Sequence, residues 1–374
     1  MKKVIYFLLG LFWLNFTAQA QLLNDPTNLN LTSLALDKIY NAEFGEARKY
    51  IEQIKKNYPK HPIIPFLNAY AISWENMPLQ KGQTEFTYYN QYLQLSLQYA
   101  QNLLKSDKNN LEGIYFTMAA YSLLAIHESE SGDFMTAVGY GKNAFQYIKK
   151  GFNLTEKFAD FYFSTGVYKY YAIQYPETHP IAKPFAAFFP EGNKAKGLEY
   201  LHIAGQNSRF SKVEAYMYLH AIYAKYEQNN YQAWLSAQQL VSLYPNNSFF
   251  WLRNCESLIA LGRYAEAEAI LPKFSAKNKS IYQAAQNLFK GIIQEKYYKN
   301  LTIAQNLYNQ VIGLNKVDKR YTKDYQAFAH AGLARIAHQT GDKPKAKENY
   351  KKALKLSEYE GLKLEAKNYL KNNN

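Results

Sequence analysis

The strongest constraint on how this chain folds is that it repeats itself. Three segments share one plan: AYMYLHAIYAKYEQNNYQAWLSAQQLVSLYPNN from Ala215, FFWLRNCESLIALGRYAEAEAILPKF from Phe249, and AFAHAGLARIAHQTGDKPKAKENYKKALKLS from Ala327. Each reads as a helical period, a break, and a second helical period. The breaks are Asn229-Asn230-Tyr231, Leu261-Gly262-Arg263-Tyr264 and Thr340-Gly341-Asp342-Lys343-Pro344, followed by a small residue at Ala233, Ala267 and Ala346. The first two of these alanines stand 34 residues apart. Two antiparallel helices approach closely only where small residues face each other and large apolar ones fill the gaps. A proline such as Pro245 then stops the second helix and turns the chain into the next pair.

On these residues the chain resembles the tetratricopeptide family, whose period is the same. Trp251, Gly262, Tyr264 and Ala267 match its Trp, loop-Gly, aromatic and small positions, and Ala221, Ala233, Leu240 and Pro245 match the repeat before. Leu333, Ala334, Gly341, Ala346, Tyr350 and Ala353 match the last repeat in order. Weaker copies place Ala47, Ile51 and Pro59, then Gly132, Phe134, Ala137 and Ala144, and finally Ala304, Tyr308 and Val311 on second-helix positions. The resemblance implies an all-α fold: one α-α superhelix, a tetratricopeptide-like solenoid, over residues 21–374. About eight helix pairs are expected, with a C-terminal helix from Glu358 to Leu370 shielding the open end.

The first twenty residues stand apart from this pattern. Lys2 and Lys3, an apolar run from Val4 to Phe16, and Ala18-Gln19-Ala20 have the form of a cleaved signal peptide over residues 1–20. The run falls short of the roughly 20 residues a spanning helix needs. No cysteine follows the cleavage site, so the mature chain is expected in the periplasm or secreted, and not as a lipoprotein. Cleavage lowers the formal charge from +14 to +12, and Ile281 to Asn374 alone holds 17 Lys+Arg against 8 Asp+Glu. Lysines on outer helix faces that keep the protein soluble would account for this surplus without any partner; if it does mark partners, those to expect for an exported chain are proteins, peptides or anionic envelope components, and no nucleic acid.

Residue sets for chemistry are missing from the sequence, and neither a metal nor a cofactor is expected. The seven histidines are scattered singly and no His-Glu-x-x-His occurs. His127-Glu128-Ser129-Glu130 reads as a solvated helix end, because adjacent helical residues point apart. Cys255 is the only cysteine and falls on a small packing position, which predicts a buried, inert thiol. With no nucleophile, base and orienter at sensible spacing, the chain reads as a binding protein and not as an enzyme.

The chain's 35 tyrosines suit such a role, since the ring offers a broad apolar face with a polar tip at low entropic cost. In the tetratricopeptide family the first helices line a concave groove. Carried over, its groove positions are Ala215, Tyr218, Ile222, Lys225 and Tyr226 in one repeat. In the segment before they are Phe163, Val167, Tyr170 and Tyr171, and in the last repeat Phe328, Arg335, His338 and Gln339. The same tyrosines could instead fill the core between helices. Two occupants fit the groove: a protein or peptide segment, or a small ligand or glycan stacked on the aromatic rings.

One stretch interrupts the helical pattern. In YPETHPIAKPFAAFFPEGNKAKG, from Tyr175, four prolines exclude a continuous helix, so residues 175–191 read as an insertion inside one repeat. The first helix of that repeat is expected over Glu156 to Gln174, with Gly197 on the small position of the second. His179 lies in the insertion, and Phe185, Phe188 and Phe189 are expected to bury on the protein's own surface, since each would cost roughly 1.5–3 kcal/mol in water. The run FFPEGNKAKGLEYL with its preceding helix is also similar to a branch of the superfamily linked to inclusion-body clearance at the mitochondrial outer membrane. That similarity implies a shared repeat geometry.

Overall fold

The computed structural model describes residues 21–180, 183–186, 189–275, 280–314 and 319–373. The expected signal peptide, residues 1–20, lies outside the described residues. All regular structure among the described residues is helical. After a 3-10 turn at Leu22–Asn24 come α1 (Pro26–Tyr40), α2 (Phe44–Asn57), α3 (Ile63–Glu75), α4 (Thr84–Ser106), α5 (Leu111–Ser131) and α6 (Phe134–Gly151). They are followed by α7 (Asp160–Thr178), α8 (Lys194–Asn207), α9 (Lys212–Lys225), α10 (Asn230–Leu243), α11 (Ser248–Ala260) and α12 (Tyr264–Ile270). The last five are α13 (Ser280–Lys296), α14 (Leu301–Gly313), α15 (Lys319–Gln339), α16 (Lys343–Leu356) and α17 (Glu360–Asn372). Two single turns, Lys183–Ala186 and Pro272–Ser275, complete the set. Among the described residues α1 to α16 therefore form eight consecutive pairs, the tetratricopeptide-like arrangement, and α17 follows them.

The described residues group into two compact units, one of 21–39 with Glu43–Tyr147, the other of those from Ile148 onward with Tyr40–Ala42. In the first unit Ala47, Ile51 and Ile54 of α2, Phe66 of α3, Leu93 and Ala100 of α4 and Phe116 of α5 are buried. A buried polar staple crosses this core. The backbone N–H of Ile63 donates to His61 Nδ1 at 3.2 Å, which leaves the ring proton on Nε2, facing Glu112 Oε2 at 3.1 Å. His127, expected at a solvated helix end, is instead buried and stacked on Phe86 with centroids 4.3 Å apart. The register of α5 explains this: Leu124 and His127 lie three apart and share the buried face.

The second unit holds the sharper repeats. Its small positions behave as the pattern requires, with Ala233, Ala267 and Ala346 all buried. Gly262 and Gly341 take φ of +72° and +84°, left-handed turns that end the first helices of their pairs. Asparagine has an unforeseen use in this chain. Side chains of Asn110, Asn193, Asn229, Asn247 and Asn300, and of Asp342, accept backbone N–H bonds at the starts of α5, α8, α10, α11, α14 and α16. Each such cap is worth about 1 kcal/mol. Asp160 ties one pair to the next, accepting from the N–H groups of Phe210 and Ser211 at 2.7 and 2.8 Å in the turn between α8 and α9.

Backbone meets backbone between α7 and α8. A Cβ on Gly197 would meet the backbone nitrogen of Tyr170 at 2.7 Å, and one on Gly166 would meet the Gly197 carbonyl at 3.0 Å. The expected small position at Gly197 is thus a backbone-on-backbone contact. α7 itself starts later than expected and runs four residues further, through Pro176 to Thr178. Pro176 is tolerated because only the final turn lies beyond it, where Thr178 Oγ1 donates to the Gln174 carbonyl at 3.0 Å. The insertion between the helices therefore begins at His179, not Tyr175.

Replacing Gly197 with alanine should destabilise the chain by roughly 1–3 kcal/mol, because backbone cannot retreat from the added methyl. Gly139→Ala, where nothing lies within 4 Å of the new Cβ, should be neutral or stabilise by up to about 1 kcal/mol. Urea unfolding followed by helical circular dichroism compares the two directly.

Candidate functional site

The expected groove residues separate into an aromatic platform and two charged struts, all in the second unit. The platform is built by α7 and α9. Leu201, Leu219 and Ile222 form its floor with Tyr170, and Phe163, Val167, Tyr171, Tyr218 and Tyr226 pack on them, half-buried. The rings meet edge to face: Phe163 and Tyr218 at 5.3 Å, Tyr171 and Tyr226 at 6.1 Å, Tyr171 and Tyr218 at 6.3 Å. Such pairs add roughly 0.5–1.5 kcal/mol each beyond area burial. Tyr170 is different. It is fully buried, and its hydroxyl donates to Glu227 Oε1 at 2.5 Å, so it supports the platform and offers no surface to a partner. Ala215 and Ile222 are likewise buried.

Arg335 was expected on a groove face, and the structure makes it a strut. Its Nε and Nη2 donate to Glu295 Oε1 and Oε2 of α13 at 2.7 and 2.9 Å, and Nη1 donates to Glu365 Oε1 of α17 at 2.9 Å. Tyr308 of α14 adds its hydroxyl to Glu295 Oε2 at 2.6 Å. Its ring is seated between Gly291 and Gly332, where added Cβ atoms would lie 2.8 and 2.2 Å from ring carbons. Burial alone would push the Glu295 carboxyl up, but the Arg335 hydrogen bonds and charge outweigh it and hold the group down at about 2.

Lys225 forms the second strut, its Nζ donating to Asp324 Oδ2 and Glu358 Oε2, both at 2.9 Å. Beside it Arg253 donates to Glu256 Oε2 at 2.7 Å, and the Tyr359 hydroxyl donates to the other oxygen of Glu256. Phe328 of α15 packs edge-on against the Tyr359 ring at 5.0 Å. His338 and Gln339, by contrast, sit exposed at the far end of α15.

Between these groups lies a cavity of about 330 Å³. Ile259, Leu288, Phe289 and Leu362 give it apolar walls, while Glu256, Ser257, Tyr325 and Glu365 contribute polar groups. Tyr325 is buried, with 5% of its surface exposed, and among the described residues its hydroxyl has no hydrogen-bond partner. A buried donor left this way costs roughly 1–3 kcal/mol, the kind of deficit a ligand can relieve.

Of the insertion, His179 is exposed and stacks on Tyr175 with centroids 4.3 Å apart. Phe189, expected to be buried, keeps 50% of its surface exposed, while the returning chain is pinned to α7 by the Tyr168 hydroxyl donating to the Pro190 carbonyl at 2.7 Å. Phe188 and the side chain of Phe185 lie outside the described residues. Phe189 borders a cavity that also touches Tyr171, so the loop reaches the edge of the platform.

Cys255 is fully buried, and burial with the neighbouring Glu256 charge pushes its thiol up, away from the reactive thiolate. Among the described residues no group of three or more His, Cys, Asp or Glu is placed to hold a metal ion, and no helix is long and apolar enough to cross a membrane.

Sequence reasoning missed Arg253, Glu256, Asp324, Tyr325, Glu358 and Tyr359. Arg253 and Glu256 are three apart on one first helix, a legible pair. Tyr359, Glu358 and Asp324 act through contacts spanning 103, 133 and 99 residues of chain, for which no local pattern exists.

The Glu295 strut sets a pH dependence. Because its folded pKa lies below the ordinary 4.5, the stability it contributes is complete above that value and is lost as pH falls from 4.5 towards 2. That loss should be about 3 kcal/mol. Glu295→Gln should destabilise by roughly 3–5 kcal/mol at neutral pH, by stranding Arg335, and should flatten the acid limb. Urea titrations at pH 7 and pH 3 on both chains measure both effects.

Neither the known family models nor the curated proteins match this chain. Among solved structures, the chain is similar to the crystal structure of yeast Tom70 at 12% identity, covering 94% of this chain and 82% of that one with a TM-score of 0.37. It is also similar to the human IFIT1 dimer with PPP-AAAA at 14% identity, covering 87% of this chain and 84% of that one with a TM-score of 0.36.

Proposed function

We propose that this protein is a non-enzymatic scaffold that holds a protein or peptide segment against the first-helix face of its second unit, working in the cell envelope after export. The observation that carries the reading is the aromatic platform of Phe163, Tyr171, Tyr218 and Tyr226, half-buried yet still open on one side. Rings fixed by edge-to-face neighbours lose little entropy on binding, which favours them as anchors for a partner. Placement in the envelope rests on the leader-like residues 1–20 and the basic surplus towards the C-terminus. A second reading, a small-molecule binder, is favoured by the cavity of about 330 Å³ and the unpaired Tyr325 hydroxyl within its lining.

Crosslinking in intact cells, followed by purification and peptide mass spectrometry, tests the first reading. Tyr171, Tyr218 and Tyr226 are replaced together by alanine, and Tyr170 is left in place because it belongs to the core. At roughly 1–2 kcal/mol per anchor the crosslinked partner should be lost while helical circular dichroism stays unchanged. A partner retained in full by the triple variant sinks the assignment. Native mass spectrometry of the purified chain serves the second reading, which requires a bound small molecule that Tyr325→Phe releases.

A further inference from the structure

We infer that the first-helix face of the second unit is a receptor for an acidic helix start of pattern Glu–Tyr–x–x–Leu–x–x–Glu, and that the chain's own residues 358–365 occupy it in the partner's stead. The inference deepens the scaffold reading and rests on it.

Residues Glu358 to Glu365 read EYEGLKLE and join α16 to the first half of α17. They make the contacts a bound peptide would make. Glu358 takes the Lys225 ammonium at 2.9 Å and faces the Lys323 ammonium at 3.5 Å. Tyr359 donates to Glu256, lies edge-on to Phe328, and sits 5.5 Å beneath the Lys225 charge. Leu362 closes the apolar wall of the cavity, and Glu365 takes Arg335 at 2.9 Å. The receiving groups come from α9, α11 and α15, and Glu256 and Lys225 are 103 and 133 residues away in sequence from the groups they hold.

Each receiving group also has a partner outside the segment. Lys225 keeps Asp324, Glu256 keeps Arg253, and Arg335 keeps Glu295. Those three pairs are electrically balanced, whereas the occupant brings Glu358, Glu360 and Glu365 against a single Lys363. Net acidity is therefore a property of the occupant. Leu362 and Glu365 are three residues apart and share one face of α17, while Glu358, two residues before the helix starts, meets the Lys225 ammonium. A receptor organised before its ligand arrives loses less on binding.

The junction is short. Only Ser357, Glu358 and Tyr359 separate α16 from α17, and the turn is held by Ser357 Oγ accepting the Tyr359 N–H at 3.0 Å. A partner carrying the same pattern would take the same groups by displacing this segment.

Two measurements on the full chain test this. In the wild-type protein, amide hydrogen exchange over residues 362–370 should run at least tenfold faster than over 327–337 of α15. Equal protection would make α17 an inseparable part of the core and overturn the inference. Next, a fluorescent synthetic peptide copying Ser357–Asn372 is titrated into wild type and into a chain carrying Glu358→Ala and Tyr359→Ala. The variant should bind it at least tenfold more tightly than wild type, and a peptide with its Tyr359 and Glu365 positions changed to alanine should not bind. Equal binding to both chains, or to neither, overturns the inference. Should the variant lose its helical circular dichroism, the exchange result decides alone. If the crosslinked partner depends on the tyrosine platform while the peptide binds neither chain, this inference falls and the scaffold reading stands.

Discussion

The buried pair between Arg335 and Glu295 is the interaction on which the C-terminal half of the second unit depends. It joins α13 to α15, and through Glu365 it reaches α17. Two charges removed from water cost several kcal/mol each, and their attraction offsets this only when the geometry is close and the remaining lone pairs are used. Both conditions are met. The guanidinium approaches both carboxylate oxygens, and the Tyr308 hydroxyl donates to one of them. Tyr308 can reach because Gly291 and Gly332 leave room for its ring between two helices. The packing of three helices and the placement of one charge are therefore a single device.

Much of the array could be read from the chain before any coordinates, and the reason is local. Small residues at Ala233, Ala267, Ala346 and Gly197 report a close helix contact that recurs within one pair, so period and spacing carry the information. The same logic gave the platform, since Phe163, Tyr171, Tyr218 and Tyr226 lie on neighbouring first helices at matching positions. It failed for Tyr170 and Arg335. Position in a repeat says which way a side chain leaves its helix, but not what meets it there. Tyr170 meets the tight α7–α8 contact and is sealed by it, and Arg335 meets a carboxylate from another helix. Five asparagines satisfy backbone N–H groups at helix starts, a role visible only once the boundaries are known.

The insertion shows the limit of breaker residues as punctuation. Four prolines in a short span do end a helix, but the first of them did not end this one. A proline in the last turn forfeits one hydrogen bond with little chain left to lose, and Thr178 returns a donor to the same turn. Helix α7 gains four residues beyond the expected end, which carries Tyr175 and Pro176 out beside Tyr171 and brings the returning Phe189 to the platform's edge. Phe189 keeps half of its surface exposed there.

The C-terminal helix then carries two conflicting duties. One side, through Leu362 and Ala366, is buried with Ala327, Ala331 and Tyr350 and behaves as the end of the array. Its leading residues instead turn towards α9 and α11, where Tyr359 and Glu358 meet groups that already have partners of their own. A helix needed only as a cap would present a polar outer face to water, and it would have no use for a buried tyrosine seated on a charged pair. The extra contacts lie where the cavity and the unpaired Tyr325 hydroxyl also lie. Incomplete satisfaction beside a well-organised set of charges is what an imperfect occupant leaves behind. One helix thus packs into the core through Leu362 and Ala366 and also meets the charged groups of α9, α11 and α15 through the residues at its start.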